Sequence, residues 1–442
     1  MKNIQGRSQL NYSLNWSRNV KVKPKILFPK NITQLKKIIS KKKFITAGNQ
    51  RSFGDNAINS SLIISMKNFN KVISFNKKKG IIEIQSGTIL KDILSLITKE
   101  SWFIPVTPGT KYVSIGGMIA NNVHGKNTFK NQIKYHVKEI KLLTTNKKFI
   151  TCSQNKNKKI FETTIGGFGL TGFILSAKIK LKKINSIYIK QEIKEFENYN
   201  EFFNLSKKSN KYEYNVFWID DFKLNKIKGL CYFGNHIKDN SLTKKKISFK
   251  EKEIGLLSFL ILRIFTQNYY LIKIINFFFR KLKKIFYTET SDLVNFFYPQ
   301  DHFLNWNKIY GKNGFFQVQF LIKKKNFIHI LNRISHFFIK EKVFSTFTII
   351  KQFNEKGKYL NFYGQGFSVS MDIPINFKFL KIKFFFNELF KEFKVKINFS
   401  KDFICDKKFL EKNTEYIKFK KNLSLFNHKK KFNSLFSKRL NL

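Results

Sequence analysis

Three glycine-punctuated stretches constrain this chain more than any other feature. They are TAGNQRSFGD at Thr46–Asp55, PVTPGTKYVSIGGMIANNVHGKN at Pro105–Asn127 and IGGFGLTG at Ile165–Gly172. Each adjoins an apolar run and mixes glycine with hydroxyl and amide side chains. Glycine admits positive φ and lets the main chain approach a ligand closely. Successive backbone N–H groups in such turns make a concave nest for an anion. The three loops are therefore expected to cradle the diphosphate and ring of a flavin dinucleotide.

The third loop also contains the string Gly167-Phe-Gly169-Leu-Thr-Gly172. A dinucleotide fingerprint of that spacing needs a helix directly after it. The following residues, FILSAKIKLKKI at 173–184, alternate as a strand instead, so the nicotinamide-type reading fails on context.

Around the loops the pattern is one of short strands. Phe44–Ala47, Leu62–Met66, Val72–Phe75, Ile81–Gln85, Val137–Thr144 and Phe149–Cys152 read as strands, with Gly80 closing a hairpin. Asn31 or Thr33 is placed to cap a short helix, and Thr88 to start an amphipathic one through Ile97. After about residue 185 the strands lengthen and become aromatic-rich, as in Tyr214–Ile219, Phe315–Ile322, Ser345–Lys351 and Phe367–Ile373. This is an α+β pattern without a regular βαβ repeat. Residues 254–287 are apolar, aromatic and basic at once. They read equally as a helical pair packed on a sheet or as a patch for a membrane surface.

At 442 residues, 42% of them hydrophobic, the chain has room for two or three domains with real cores. The formal net charge of +56 attracts anionic surfaces in principle. Lysine, asparagine, isoleucine and phenylalanine are all in excess, however, and the lysines are spread along the whole chain. AT-rich coding drift explains that distribution better than a nucleic-acid site does, so nucleic-acid binding is disfavoured. Cys152, Cys231 and Cys405 form neither a disulfide framework nor a metal-ligand spacing, and no metal is expected. MKNIQGRSQLNYSLNW has no apolar leader region, and Arg263 and Lys273 interrupt the longest apolar runs. A cytoplasmic setting is the default. There is no Ser/His/Asp signature and no GxxxxGKS loop. His124, set between Asn122, Gly125 and Lys126 in a glycine loop, is a fair site candidate.

Taken in order, several further motifs carry a family resemblance. They are RSFGD at 51–55, PGTKYVSIGGMIANNVHGKN at 108–127, TIGGFGLTG at 164–172, WID at 218–220, and YPQDHFLNWNKIYGKNGFFQVQF at 298–320. IIKQF at 349–353, GFSVSMDIPI at 366–375, SKD at 400–402 and SKRLNL at 437–442 complete the series. With these the chain resembles the vanillyl-alcohol-oxidase-like (PCMH-type) flavoproteins, and within them the decaprenylphosphoryl-ribose 2-oxidase group.

The resemblance implies a bipartite FAD-binding domain with an inserted substrate domain built on an antiparallel sheet. The expected boundaries are 1–190 for the FAD-binding domain, 191–395 for the substrate domain and 396–442 for a segment returning to the first. It implies FAD held non-covalently, so that His124 is no covalent anchor. The cofactor positions are Gly48, Asn49, Arg51, Ser52, Phe53, Gly54 and Asp55 in the first loop. In the second they are Pro108, Gly109, Thr110, Ser114, Gly116, Gly117, Asn121, Asn122, His124 and Gly125. Gly167, Gly169, Gly172 and Ile174 follow from the third.

Trp218, Gln317, Gln319, Lys351, Ser368 and Ser370 match substrate positions, and Lys401 matches a catalytic lysine beside flavin and substrate. The implied reaction oxidises the C2 hydroxyl of a polyprenyl-phosphate-linked pentose to a keto sugar. It is the first half of an epimerisation for cell-envelope polysaccharide that a short-chain reductase partner completes. Peripheral contact with the inner face of the plasma membrane would go with such a substrate. The alternatives are an aldonolactone or free-sugar oxidase of the same fold, or a non-catalytic basic protein binding membranes or nucleic acid. Four positions depart from the family pattern: Phe53 replaces a tyrosine, Ser370 a cysteine, Ser368 an asparagine and Asn398 a tyrosine.

Overall fold

The computed structural model describes residues 15–40, 43–238, 247–249 and 251–442. The stretch read for a leader, up to residue 14, lies outside them. Among the described residues, two larger sheets are built before Tyr188, beside a two-stranded one of Trp102–Phe103 and Lys182–Lys183. Lys25–Leu27, Leu62–Ser65 and Ile45–Ala47 form a small parallel sheet with Leu62–Ser65 in the middle. Val72–Asn76, Ile81–Gln85, Phe173–Lys180, Val137–Leu143 and Phe149–Cys152 form an antiparallel one in that order. The mixed helix and antiparallel-sheet architecture is that of an α+β protein, as expected.

A third large sheet begins at Tyr188–Phe196 and has eight strands, all paired antiparallel. Its centre is Tyr214–Lys223, Phe347–Glu355, Gly364–Pro374 and Phe315–Ile322. Successive side chains on a strand point to opposite faces. Accordingly Phe316, Val318, Phe320, Val369, Met371 and Ile350 fall in one apolar core, under the helices Phe327–Glu341 and Phe379–Phe393. Their neighbours in sequence point the other way, toward the first two sheets. That face holds the site.

Before residue 190, two α-helices are absent from the sequence reading. Ile115–Ala120 forms inside what reads as a loop. Ser114 caps it, accepting from the Gly117 amide at 3.2 Å. Glycines at 116 and 117 cost a helix about 1 kcal/mol each, but a Cβ at Gly116 would stand 2.8 Å from Ser86 Cβ, so close packing decides the residue. Lys158–Thr164 is the second, with Ile160 and Phe161 buried against the antiparallel sheet.

Residues 431–439 bond to residues between Phe44 and Asn59. Phe432 bridges Phe44 in parallel, with Phe44 N donating to Lys431 O and Asn433 N to Phe44 O. Leu435 N donates to Ile58 O, and Asn59 Nδ2 to Asn433 O. Arg439 then donates to the Asp55 carboxylate at 2.9 and 3.1 Å and to Asp402 Oδ2 at 2.9 Å.

Candidate active site

One large cleft of about 1980 Å³, mouth included, runs between the glycine loops and the eight-stranded sheet. Its loop side brings together Gly48, Asn49, Arg51, Ser52 and Phe53 with Pro108, Gly109, Thr110, Ser114, Gly116, Gly117 and Asn121. Gly169 and Ile174 join them from the third loop and the strand after it. The loops interlock. A Cβ on Gly48 would lie 1.9 Å from Ser114 Oγ, so only glycine lets the first loop rest on the cap of the second. The Arg51 guanidinium stacks over Trp16 at 4.1 Å.

The sheet side is set by register. Gln317 pairs with Asp372 and Asp372 with Phe347; Gln319 pairs with Ser370 and Ser370 with Ile349; Ser368 pairs with Lys351. All of these side chains line the cleft. Gln317 Nε2 donates to Asp372 Oδ1 at 2.5 Å. Gln319 is the hub of a second network: its Nε2 donates to Ser368 Oγ at 2.8 Å and to His124 Nε2 at 3.2 Å, while Asn398 Nδ2 donates to its Oε1 at 2.7 Å.

Five ionisable groups line this part of the cleft. Lys401 reaches the cleft on a turn in which its own amide donates to Asn398 O at 3.0 Å, and its Nζ is 5.6 Å from the Phe53 ring. Burial lowers the Lys401 pKa, and the neighbouring Asp372 carboxylate opposes that fall. Burial likewise raises Asp372, against the Gln317 hydrogen bond and Lys401. Lys351 donates to Gly125 O at 2.9 Å and is held well below the usual lysine range by burial, then by Lys401 and Lys126. Lys126 is lowered to about 7 by burial, its ammonium bonded to Phe296 O. Burial, followed by Lys351 and Lys401, keeps His124 neutral. Three amines thus run in a row along the cleft, Lys126 beside Lys351 and Lys351 beside Lys401, and Lys401 alone of the three meets the Asp372 carboxyl.

Some expected site residues stand behind the wall. Gly54 packs on the Asp402 carbonyl, Gly167 on Thr163 and Gly172 on Leu143. Asp55 is taken by Arg439. Asn122 donates to Gln132 at 3.0 Å, and Gly125 offers its carbonyl to Lys351. Trp218 lies in the row of Ile349 but is covered by Phe279, the rings 5.0 Å apart. Conversely, Trp16, Lys126, Asp301, Trp306 and Asp372 line the cleft without having been singled out. Asp372 was within reach: it continues the alternation of Ser368 and Ser370.

The loop side fits a flavin dinucleotide. Nothing approaches within 4 Å of where a Cβ on Gly109 would sit. Among the described residues, Ser86 Oγ and Asn56 Oδ1 are buried at the cleft with no hydrogen-bond partner. Residues 24–153 match the family model of an FAD binding domain. These residues are an FAD-binding domain of the PCMH type, the kind that FAD-dependent oxidoreductases carry. FAD is therefore the cofactor of this flavoprotein.

Relatives of this PCMH-type flavoprotein include oxidases of two kinds. Over 349 residues it is 26% identical to decaprenylphosphoryl-beta-D-ribose oxidase of Mycolicibacterium smegmatis, covering 75% of this chain and 74% of that protein. It is 23% identical to a putative D-arabinono-1,4-lactone oxidase of Neurospora crassa, over 34% of this chain and 28% of the other. To L-gulonolactone oxidase of Bos taurus it is 22% identical, over 38% and 39%.

Proposed function

We propose that the protein oxidises the C2 hydroxyl of a polyprenyl-phosphate-linked pentose to a keto sugar. The observation that carries this reading is the row of Lys126, Lys351 and Lys401, with Asp372 beside the last, in a cleft whose sheet side is lined by amides and hydroxyls. Amides and hydroxyls suit a sugar, and clustered lysines suit a phosphate, whose negative charge favours their protonated form. The lactone-oxidase relatives support a second reading, a free-sugar or aldonolactone oxidase.

In this proposal residues 1–190 and 396–442 hold FAD non-covalently and residues 191–395 hold the substrate. When bound, FAD supplies the acceptor for the hydride that leaves the sugar carbon. Lys401, with its pKa lowered by burial, takes the hydroxyl proton in its neutral form, and Asp372 meets the charge that results. Gln317, Gln319, Ser368 and Ser370 orient the ring, while Lys351 and Lys126 face the phosphate. His124, neutral and bonded to Gln319, steadies that network rather than anchoring the cofactor. A short-chain reductase would complete the epimerisation, and a lipid-borne substrate places the enzyme at the inner face of the plasma membrane.

The test is the visible spectrum of the purified protein, followed by addition of polyprenyl-phosphoryl ribose without oxygen. Bleaching of the flavin bands by that compound supports the reading. Bleaching only by free sugars or lactones moves the assignment to the second.

A further inference from the structure

The region left open between two readings, 254–287, is a pair of helices, Leu256–Gln267 and Tyr269–Ile285. Its attachment to the body is narrow. Thr266 Oγ1 donates to Ile309 O at 3.1 Å, Ile272 is buried, and Arg280 is held by Asp220 at 2.8 Å and by Glu195. Lys273, Asn276 and Phe279 also meet the body, at Asp221, Asp220 and Trp218, and the opposite face of the pair looks outward. Of 29 exposed large apolar side chains on the described residues, 13 lie between Leu256 and Phe286, Leu257, Ile264, Tyr270, Phe278 and Ile285 among them. Scattered exposed apolar residues need no explanation, but a contiguous ridge of this kind marks a contact surface.

What covers the ridge is indicated by its border. Lys281 and Lys283 lie over Phe277 and Phe279 on the second helix. Beside that helix a surface pocket is lined by Lys223, Lys226, Lys228, Lys273 and Arg280 with Asp220 and Asp221. The two acids are spent on Arg280 and Lys273. Lys223 and Lys226 have no carboxylate partner among the described residues, and they flank Leu224, 53% exposed at the turn between their strands. Apolar residues rimmed by cations match the interface of an anionic bilayer, where the chains take the ridge and the head groups the lysines. A second protein would need an equally acidic, apolar groove. Among the described residues, no helix is long and apolar enough to cross a membrane.

We propose that the helix pair Leu256–Gln267 and Tyr269–Ile285, with the turn Lys223–Lys226, docks this protein on an anionic lipid bilayer, lying in its interface. The position suits the reaction proposed above, on which the inference rests for its purpose. The first helix packs on the segment Trp306–Tyr310, whose Trp306 lines the cleft, so docking sets that wall of the cleft at the lipid surface.

The test uses flavin-loaded full-length protein and co-sedimentation with vesicles of phosphatidylcholine, with and without about 30% phosphatidylglycerol, near 0.15 M salt. The protein is expected to sediment with the anionic vesicles. The triple variant Leu257→Glu, Ile264→Glu, Phe278→Glu should lose that binding about tenfold or more. Because a strongly basic protein adheres to anionic vesicles anywhere on its surface, a control with the same change of three charges is needed. Lys407→Gln, Lys408→Gln, Lys412→Gln, on the exposed segment before the helix Thr414–Phe426, should bind as wild type. Equal loss in both variants would mean diffuse attraction and would overturn the proposal. So would wild-type protein that ignores the vesicles. A wild-type dimer that the Glu variant dissociates, without vesicle binding, would assign the ridge to a second copy. Flavin absorbance shows that each variant is folded. Bleaching by detergent-solubilised polyprenyl-phosphoryl ribose tests the reaction separately, so failure of docking and failure of the reaction are distinguishable.

Discussion

Arg439 and Asp55 lie 384 positions apart in sequence and meet through paired hydrogen bonds of 2.9 and 3.1 Å. The same guanidinium reaches Asp402, next to Lys401, so one side chain ties the first glycine loop to the turn bearing the proposed base. Removing one partner of a buried ion pair leaves an uncompensated charge and costs about 3–5 kcal/mol. Arg439→Leu should destabilise the protein by roughly that amount. Denaturant midpoints report it, and FAD affinity should fall with them, since Asp55 closes the loop that Gly48 opens.

Lys401→Met should leave FAD bound and slow flavin reduction about 10²–10⁴-fold, the range of a positioned acid–base group. Anaerobic stopped-flow absorbance measures both. A variant that binds flavin and is reduced at the wild-type rate would remove Lys401 from the chemistry.

Asp372→Asn has a signed consequence for pH. Asp372 holds the Lys401 pKa up against burial, so its loss lets that pKa fall further. The rate of flavin reduction rises with pH as Lys401 becomes neutral, and in the variant that rise should move to lower pH by about one unit. An unshifted profile would mean that another group is titrating.

Gly48→Ala should weaken FAD binding about 10- to 100-fold, because overpacking at a tight contact costs about 1–3 kcal/mol and here must displace Ser114. Fluorescence titration of the apoprotein with FAD gives the affinity. Unfolding midpoints of the apoprotein should move less than the affinity does.

The cysteines give a fifth kind of test. All three are buried and free; burial raises the Cys152 thiol to about 12 and the other two well above their ordinary value. Thiolate is the reactive form. The native protein should therefore resist a thiol-directed reagent, whereas Ser370→Cys, on the cleft wall, should be labelled once and lose flavin reduction. Mass spectrometry and anaerobic reduction read the two effects.

Much of this site is legible in the sequence because it is built from local patterns. The glycine loops announce themselves by composition, whereas Gln317, Gln319, Ser368 and Ser370 are reached through the family resemblance, and their spacing of two accounts for their shared face. Asp372 obeys the same spacing within the strand read at Phe367–Ile373, but a lone aspartate there carries no local sign of the Gln317 and Lys401 that meet it. The Ile115–Ala120 helix is hidden by its own glycines, which tertiary packing against Ser86 retains against their propensity. Gly54 and Asp55 sit in the right loop, yet serve Asp402 and Arg439, partners that no local pattern could supply. The ridge at 254–287 is undecided by sequence for the same reason. Apolar side chains at helical spacing look alike whether a sheet covers them or nothing in the chain does.

The bridge between Phe44 and Phe432 has a consequence for synthesis. The ribosome makes the first glycine loop early, but the segment that pairs beside Phe44 and Ile58 emerges almost 400 residues later. The early half must wait on the ribosome with this edge uncovered. Cofactor loading then becomes a late event, and a nascent chain that stalls before residue 430 yields a colourless product.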